Sequence, residues 1–342
     1  MFERLLLLWL SILCGVAFAW PQLGSAFGFD ASVDPFEASK PWVKTLISLT
    51  MFLVGCLLQR SEVRAILARF PVVIGGTAIQ YTAMPILGFL CAWIFPLSPE
   101  YRLGVIMAGC VPGAMASNVV TLAARGNVSY SVSLTTCSTV LSPIVVPIAL
   151  WLALGVSSSL NPWDCARELV LQVAGPVLIG FGICQAVPRF EHGMRRVAPV
   201  AANLTILWVI AVVVGLNRER LSQAFHSPAA DLAPLMAALL AMNLLGYLVG
   251  WIGGVCMGID VPMRRALTIE IGMQNAGLGT SLILTLFKDR PSAAIPTALY
   301  TFGCMFTGTL MAQIWSYLDD RATRRAANSP PSADAARPVP DA

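Results

Sequence analysis

The sequence predicts an all-α polytopic membrane protein whose ten transmembrane helices form two inverted repeats. Three observations lead to this prediction: an apolar composition, ten apolar segments of membrane-spanning length, and matching interruptions in the fourth and ninth segments. Of the 342 residues, 57% are hydrophobic and only 12% are charged, whereas about 25% charged residues are usual in soluble domains. The net charge of +4 is small and scattered, which argues against a nucleic acid partner.

Hydropathy windows of about 20 residues, the length that crosses the hydrocarbon core, define the spans. The first window follows Arg4 and looks like a cleaved signal peptide, but apolar segments continue almost to the C-terminus, so we interpret it as a span. Residues 326–342 are rich in Pro, Ala and Ser, and we predict a disordered tail there. The ten predicted spans are 4–20, 42–59, 70–95, 102–124, 128–155, 168–187, 197–216, 232–257, 264–287 and 293–317.

Basic residues are distributed unequally between the two sides of the membrane. If the N-terminus is cytoplasmic, fourteen arginines lie on the inner side, and eight lysines and arginines lie on the outer side. Cytoplasmic loops of membrane proteins are enriched in Lys and Arg. The distribution therefore predicts that both termini are cytoplasmic.

An internal repeat divides the chain into two halves of five spans. Aligning Arg102 with Arg265, an offset of 163 residues, places Gln80 on Asn243, so that two polar amides share a position. An odd number of spans in each half inverts the second half in the membrane, as in many secondary transporters. The predicted halves are residues 1–155 and 160–320.

The fourth and ninth spans are both interrupted. Pro112-Gly113 breaks the fourth, because proline removes an amide donor and glycine lowers helix stability. Glycines flank Gln274-Asn275 in the ninth. A broken helix is tolerated in a membrane only where it is buried in protein or lines a wet cavity. The breaks therefore predict a binding cavity at mid-depth, with the helix N-termini near Ser117 and Ala276 favouring an anion.

Glu270 is a carboxylate well inside the ninth span. Such a charge is costly in a membrane unless something compensates it, and no lysine or arginine lies at that depth, so a bound cation is the simplest partner. Two alternatives stay open: Glu270 is protonated, or it pairs with Arg264 or Arg265. A proton relay lacks a second titratable group, because His192 and His226 fall in loops.

Hydroxyl and amide side chains accompany this carboxylate in the fourth and fifth spans. Sodium is a hard cation, and hard cations favour oxygen ligands. Ser131 and Thr135 are four residues apart and therefore share one helix face. Ser and Thr in membrane helices more often bond to the backbone or to neighbouring helices. The candidate ligands are Ser117, Asn118, Ser131, Thr135 and Thr136.

Two stretches carry a family resemblance: PGAMASNVVTLAARGNVSYSVSLTTCSTVLSPIVVP at 112–147 and ALTIEIGMQNAGLGTSL at 266–282. They resemble the bile acid:sodium symporter (BASS) family over nearly the whole membrane region. The resemblance implies a bacterial inner-membrane protein with a panel domain of spans 1, 2, 6 and 7. It also implies a core domain of spans 3–5 and 8–10, in which spans 4 and 9 cross at their breaks.

The same resemblance implies a sodium-coupled symporter that carries an organic monoanion, either bile-acid-like or a small carboxylate or sulfonate, with two Na⁺ ions and no organic cofactor. Met115 and Cys304 replace the threonine and histidine that such relatives lead us to expect, which disfavours bile acid itself. The implied first sodium site is Ser117, Asn118, Ser131, Thr135 and Glu270. The implied second site is Gln80, Glu270, Ile271, Met273 and Gln274. The implied substrate site is Asn275, Ala276, Met115, Cys304, Pro112 and Gly113.

Other function classes fit the sequence less well. An intramembrane enzyme would need a nucleophile with its base, paired aspartates or a metal motif, and the spans contain none of these. A channel would show rings of repeated polar residues. The remaining alternative is a proton-coupled or efflux-type carrier of related fold.

Overall fold

A computed structural model describes residues 6–26, 34–60, 64, 68–155, 161–219, 221–222 and 232–327. The described chain is helical, and no strand occurs among these residues apart from one isolated β-bridge. The predicted all-helical membrane class is confirmed, because six of the described helical segments are long and apolar enough to cross a membrane. These segments are Pro35–Leu57, Phe70–Ile94, Val128–Leu154, Pro162–Ala186, Arg189–Leu216 and Leu232–Cys256.

The first half of the chain begins with α1 and ends with the long helix α7. Its helices are α1 (Leu6–Ala26), α2 (Pro35–Ala38), a 3₁₀ turn (Lys40–Trp42), α3 (Val43–Leu57), α4 (Phe70–Ile94), α5 (Pro99–Cys110), α6 (Ala116–Ala123) and α7 (Val128–Leu154).

The second half contains a π-helical turn and a second pair of short helices. Its helices are α8 (Pro162–Leu169), a π turn (Val170–Ala174), α9 (Gly175–Ala186), α10 (Pro188–Leu216), α11 (Leu232–Cys256), α12 (Val261–Gly272), α13 (Ala276–Leu286), a 3₁₀ turn (Pro291–Ala293) and α14 (Ala294–Ala327). Most of the predicted tail, 328–342, lies outside the described residues, and α14 includes the first two positions of the tail.

Several helices begin before the predicted spans because local capping starts them outside the apolar window. α5 begins at Pro99, where the Ser98 hydroxyl accepts a hydrogen bond from the backbone N of Tyr101 at 3.3 Å. α8 begins at Pro162 after the cap residue Asn161. Ser and Asn are favoured N-caps, and proline is favoured in the first turn. Hydropathy detects the apolar part of a helix and misses its capped end.

The two interrupted helices pair through their backbones at the breaks, and we call this junction the crossing. The chain leaves α5 at Val111 and re-enters helix at Ala116, while α12 ends at Gly272 and α13 starts at Ala276. An antiparallel β-bridge joins Gly113 to Gln274. Its bonds run from Ala114 N to Met273 O (2.9 Å) and from Asn275 N to Pro112 O (2.7 Å). The backbone groups freed by one break are thus satisfied by the other.

Two helices of the first half and two of the second half match in length and packing, at a constant offset in residue number. α4 and α11 both have 25 residues, α5 and α12 both have 12, and the members of each pair start 162 residues apart (232 − 70 and 261 − 99). A Cβ on Gly88 of α4 would lie 3.2 Å from the Val105 carbonyl oxygen, and one on Gly250 of α11 would lie 3.1 Å from that of Leu267. The offset between the two halves is therefore 162 residues in the structure, one fewer than the 163 of the sequence alignment.

The helices pack in two groups. α3 packs extensively on α9 and α10, and α1 packs on α10. α4 packs on α5, α7 and α11, while α12 packs on α11 and α13 on α14. The crossing of the two breaks lies in the second group.

Candidate functional site

The Glu270 carboxylate is the centre of a buried polar cluster. Glu270 lies in the last turns of α12, and its side chain has 0% solvent exposure. Ser117 donates a hydrogen bond to its Oε2 at 2.5 Å, and Thr135 donates one to its Oε1 at 2.7 Å. Ser131 donates a longer bond to Oε2, at 3.5 Å. Four of the five residues implied for the first sodium site are therefore in direct contact.

Three helices converge to build this cluster. Ser117 is in the first turn of α6, immediately after the first break, and Ser131 and Thr135 share one face of α7. Thr121 extends the cluster, because its hydroxyl donates to Ser131 Oγ at 3.3 Å. The sequence analysis missed Thr121, although its position four residues after Ser117 on a helix places both on the same face.

No ion pair joins Glu270 to a cationic side chain in the part of the chain that the structure describes. Arg265 instead forms a bidentate ion pair with Asp319, at 2.6 Å and 2.8 Å. Arg264 donates from Nε to the Ile259 carbonyl oxygen at 2.7 Å. The alternative in which either arginine neutralises Glu270 is therefore wrong.

Glycine at position 113 leaves room for the carboxylate. A Cβ built on Gly113 would collide with Glu270 Oε1, and it would lie 3.3 Å from Gln80 Nε2. The backbone of the first break therefore lies directly against the Glu270 carboxylate of α12.

Next to Ser117, the Oδ1 atom of Asn118 is buried and has no hydrogen-bond partner among the described residues. It is an unsatisfied acceptor on the residue that follows Ser117.

A second group of oxygens lies around the second break. Gln80 of α4 donates from Nε2 to Gln274 Oε1 at 3.3 Å, and Gln274 donates to the Ile271 carbonyl oxygen at 2.7 Å. The Oε1 atom of Gln80 is buried without a partner in the described structure. Met273 contributes its carbonyl oxygen to the backbone bridge. The residues implied for the second sodium site therefore surround the second break.

A cavity of about 80 Å³ lies beside the crossing. Four of the residues implied for the substrate site line it: Met115, Asn275, Ala276 and Cys304. Pro112 and Gly113, the other two, lie in the backbone bridge and not on this cavity wall. Polar residues that the sequence analysis missed also line the cavity: Thr50, Asn203 and Thr301.

Residues 45–224, just over half of the chain, match the model of the Sodium Bile acid symporter family. The chain belongs to this family. Symporter family members are transporters, and the protein is therefore an integral membrane transporter that uses sodium, and not an enzyme.

Relatives of this symporter are named as transporters or cotransporters, and each aligns with most of this chain. It is 28% identical to the uncharacterized sodium-dependent transporter YocS of Bacillus subtilis, an alignment that covers 90% of each chain. It is 27% identical to the human ileal sodium/bile acid cotransporter, over 71% of this chain and 68% of the relative. A bovine sodium-dependent organic anion transporter is 24% identical, over 85% of this chain and 77% of the relative.

Further side chains of the symporter hold the second break in shape. The Gly272 carbonyl, at the end of α12, accepts hydrogen bonds from Asn243 Nδ2 at 2.8 Å and from the Tyr300 hydroxyl at 2.9 Å. Thr307 donates to Asn243 Oδ1 at 2.7 Å. These bonds satisfy a helix-end carbonyl that the break would otherwise leave unpaired.

Proposed function

We propose that the protein is a sodium-coupled symporter of an organic monoanion, and that two Na⁺ ions bind on either side of the Glu270 carboxylate. The observation that carries this proposal is the fully buried Glu270, which has hydroxyl donors but no cationic partner among the described residues. A buried carboxylate without a compensating charge is costly in a membrane. Bound sodium supplies that charge.

The groups around Glu270 offer oxygen atoms, which is the ligand type that sodium prefers. The first ion takes Ser117, Asn118, Ser131, Thr135 and Glu270, and the second takes Gln80, Gln274, Glu270 and the carbonyls of Ile271 and Met273. The unsatisfied acceptors Asn118 Oδ1 and Gln80 Oε1, one in each set, support this assignment. A hard cation prefers such oxygen ligands, and each orphaned acceptor gains a partner when sodium binds.

The substrate anion occupies the cavity beside the crossing. α13 begins at Ala276 on the cavity wall, and the N-terminal turn of a helix favours negative charge. Asn275, which caps this helix, contacts the substrate, together with Met115, Ala276 and Cys304. Two Na⁺ carried with one monoanion move one net positive charge, worth about 2.3 kcal/mol per 100 mV of membrane potential.

Alternating access requires two units that move relative to each other. We assign α1, α3, α9 and α10 to a panel domain, and the helices that contain the crossing to a core domain. The two packing groups support this division. The recurring helix lengths support two inverted five-span halves, with ten spans and both termini in the cytoplasm of a bacterial inner membrane.

Thermal unfolding of the purified full-length protein, in sodium chloride and in choline chloride, tests sodium binding. Wild type should unfold at a higher temperature in sodium, because a ligand that binds only the native state stabilises it. Glu270→Gln should remove this difference while leaving a folded protein. The matched control is Glu168→Gln, which alters a carboxylate paired with Lys44 at 2.8 Å, away from the cluster. That variant should keep the sodium effect.

Uptake into proteoliposomes then tests coupling. Accumulation of an organic anion should require an inward sodium gradient and should increase when the interior is made negative. Wild-type protein that is equally stable in sodium and choline, or uptake driven by a proton gradient alone, would contradict the proposal and favour a proton-coupled carrier.

A further inference from the structure

A chain of polar side chains runs from the surface to a buried contact between the two packing groups. Lys44 of α3 forms an ion pair with Glu168 of α8, in which Lys44 Nζ lies 2.8 Å from Glu168 Oε1. Gln172, in the π turn, donates a hydrogen bond to Glu168 Oε2 at 2.7 Å. Ser281 of α13 donates one to Gln172 Oε1 at 2.9 Å. The four side chains therefore form one continuous chain, which we call the polar latch.

Burial increases along the polar latch. The side chain of Lys44 is 45% exposed and that of Glu168 is 13% exposed, whereas Gln172 and Ser281 are almost completely buried. Both oxygens of the Glu168 carboxylate and both ends of the Gln172 amide are bonded within the chain. Leaving a buried polar group without a partner costs free energy. The two buried members therefore depend on each other.

The helical segment Pro162–Ala186 passes from one packing group to the other. Its first part, α8, packs on α7, and its last part, α9, packs on α3. The π turn Val170–Ala174 lies between these parts and packs on both α3 and α7. Single π-helical turns within α-helices are frequent at functional sites. Gln172 therefore lies where the segment changes its packing partner, and Ser281 bonds to it there.

The polar latch lies at one end of the cavity beside the crossing. Thr50 of α3 and Gly277 of α13 line this cavity. At 1.5 Å per residue, Lys44 lies about 9 Å along α3 from Thr50, and Ser281 lies about 6 Å along α13 from Gly277. α3 and α13 also pack on each other. The polar latch therefore lies between the cavity and the surface, at the end where α3 begins.

We propose that the polar latch is a gate, which holds the cavity closed at this end and opens when the bond between Gln172 and Ser281 breaks. The inference rests on the proposed function, because alternating access requires the cavity to open to each side in turn. Opening at this end requires α13 to separate from the π turn. Water then replaces each lost partner, so the bond contributes only the modest net stability of a protein hydrogen bond. A gate held in this way opens and closes within a transport cycle.

Distances between two spin labels measure how often the gate is open. The labels replace Lys40, just before α3, and Lys288, just after α13, because both residues are exposed and flank the polar latch. Cys256, the exposed native cysteine, is first replaced by serine. Double electron–electron resonance is recorded on the full-length protein in lipid nanodiscs with sodium chloride. The closed gate gives a short distance and the open gate gives a longer one.

Ser281→Ala should raise the ratio of open to closed protein about two- to tenfold, because it removes one net hydrogen bond from the closed state. Gln172→Leu should raise it as well. The double variant should open no more than Gln172→Leu does, since both changes remove the same bond. Lys44→Met should have a smaller effect, because an ion pair at the surface contributes little.

Thr280→Val is the matched control. Thr280 is the neighbour of Ser281 on α13, and its hydroxyl lies 2.8 Å from that of Thr297 on α14. The change therefore removes a bond within the core group, and it should leave the ratio of open to closed protein unchanged. An unchanged ratio in Ser281→Ala, or an equally large change in Thr280→Val, would overturn the gate.

Thermal unfolding of the same variants separates this inference from the proposed function. None of the changed side chains is a proposed sodium ligand, so sodium should raise the melting temperature of each variant, as it should for wild type. If sodium stabilises the protein but the ratio of open to closed protein does not change, the gate is wrong and sodium coupling stands. If sodium has no effect on wild type, the proposed function itself fails, whatever the distances show.

Discussion

Replacing Gly113 by alanine should weaken sodium binding at the proposed sites through a single methyl group. The Cβ of the alanine would clash with Glu270 Oε1 and would lie 2.9 Å from the Glu270 Cδ atom. Gly113 is fixed by the backbone bridge to Gln274, so the carboxylate must move. Oε1 accepts the 2.7 Å bond from Thr135, and this bond is the first to be lost.

The size of the effect follows from that bond. A hydrogen bond to a charged group contributes about 1.5–3 kcal/mol, and about 1.4 kcal/mol corresponds to a tenfold change in affinity. Sodium binding to Gly113→Ala should therefore weaken by about 10- to 100-fold. The assay is the sodium concentration that gives half of the maximal thermal stabilisation of the purified protein.

A second glycine provides the control for this substitution. A Cβ on Gly303 of α14 would meet nothing within 4 Å, so Gly303→Ala should leave sodium affinity unchanged. It should also raise stability slightly, because alanine favours a helix more than glycine does. If Gly113→Ala binds sodium as tightly as wild type, the carboxylate does not need its observed position, and the proposed ligand sets are wrong.

Two further predictions concern the ion pair between Arg265 and Asp319 and the membrane topology. Arg265→Lys keeps the charge but loses the two parallel bonds to Asp319, so its melting temperature should fall relative to wild type. The hydrogen bond from Arg265 lowers the pKa of Asp319, so this ion pair stabilises the protein above the unfolded pKa of about 4 and is lost as the pH falls through the lowered value. The gap between wild type and variant should close in acid, and a constant gap would refute this account. Cysteines introduced at Ser98 and His192 should react with an impermeant reagent from opposite sides of the membrane, and labelling from one side would exclude the ten-span arrangement.

The helical fold could be predicted from sequence because hydropathy and helix breakers are local signals. The break at Pro112-Gly113 is caused by the proline itself, because its ring removes a backbone amide donor. The structure accordingly ends α5 at Cys110, two residues before the proline. The π turn at Val170–Ala174 has no such signal. It places the buried Gln172 where its Oε1 accepts from Ser281 at 2.9 Å. That contact joins residues 109 apart in sequence, so nothing local in the chain indicates it.

The candidate site could be predicted in part for a similar reason. Glu270 is recognisable in sequence because a carboxylate within an apolar segment is expensive wherever it lies. Thr121 and Asn203 were missed because a single hydroxyl or amide in a membrane helix is usually structural. Their importance depends on which helix face turns inward. Only the packing of α6 against α7 and the cavity beside α10 supply that information.

The offset between the two halves of the chain shows that the polar side chains do not repeat in the way that the helices do. With the structural offset of 162, Gln80 corresponds to Met242, so the sequence alignment that paired Gln80 with Asn243 was one residue out of step. Both amides nevertheless serve the same break, since Gln80 bonds to Gln274 and Asn243 bonds to the Gly272 carbonyl. A two-fold arrangement would have given one amide to each break. These two amides instead both lie at the break that carries the carboxylate, which agrees with the proposed binding of two cations around one negative charge.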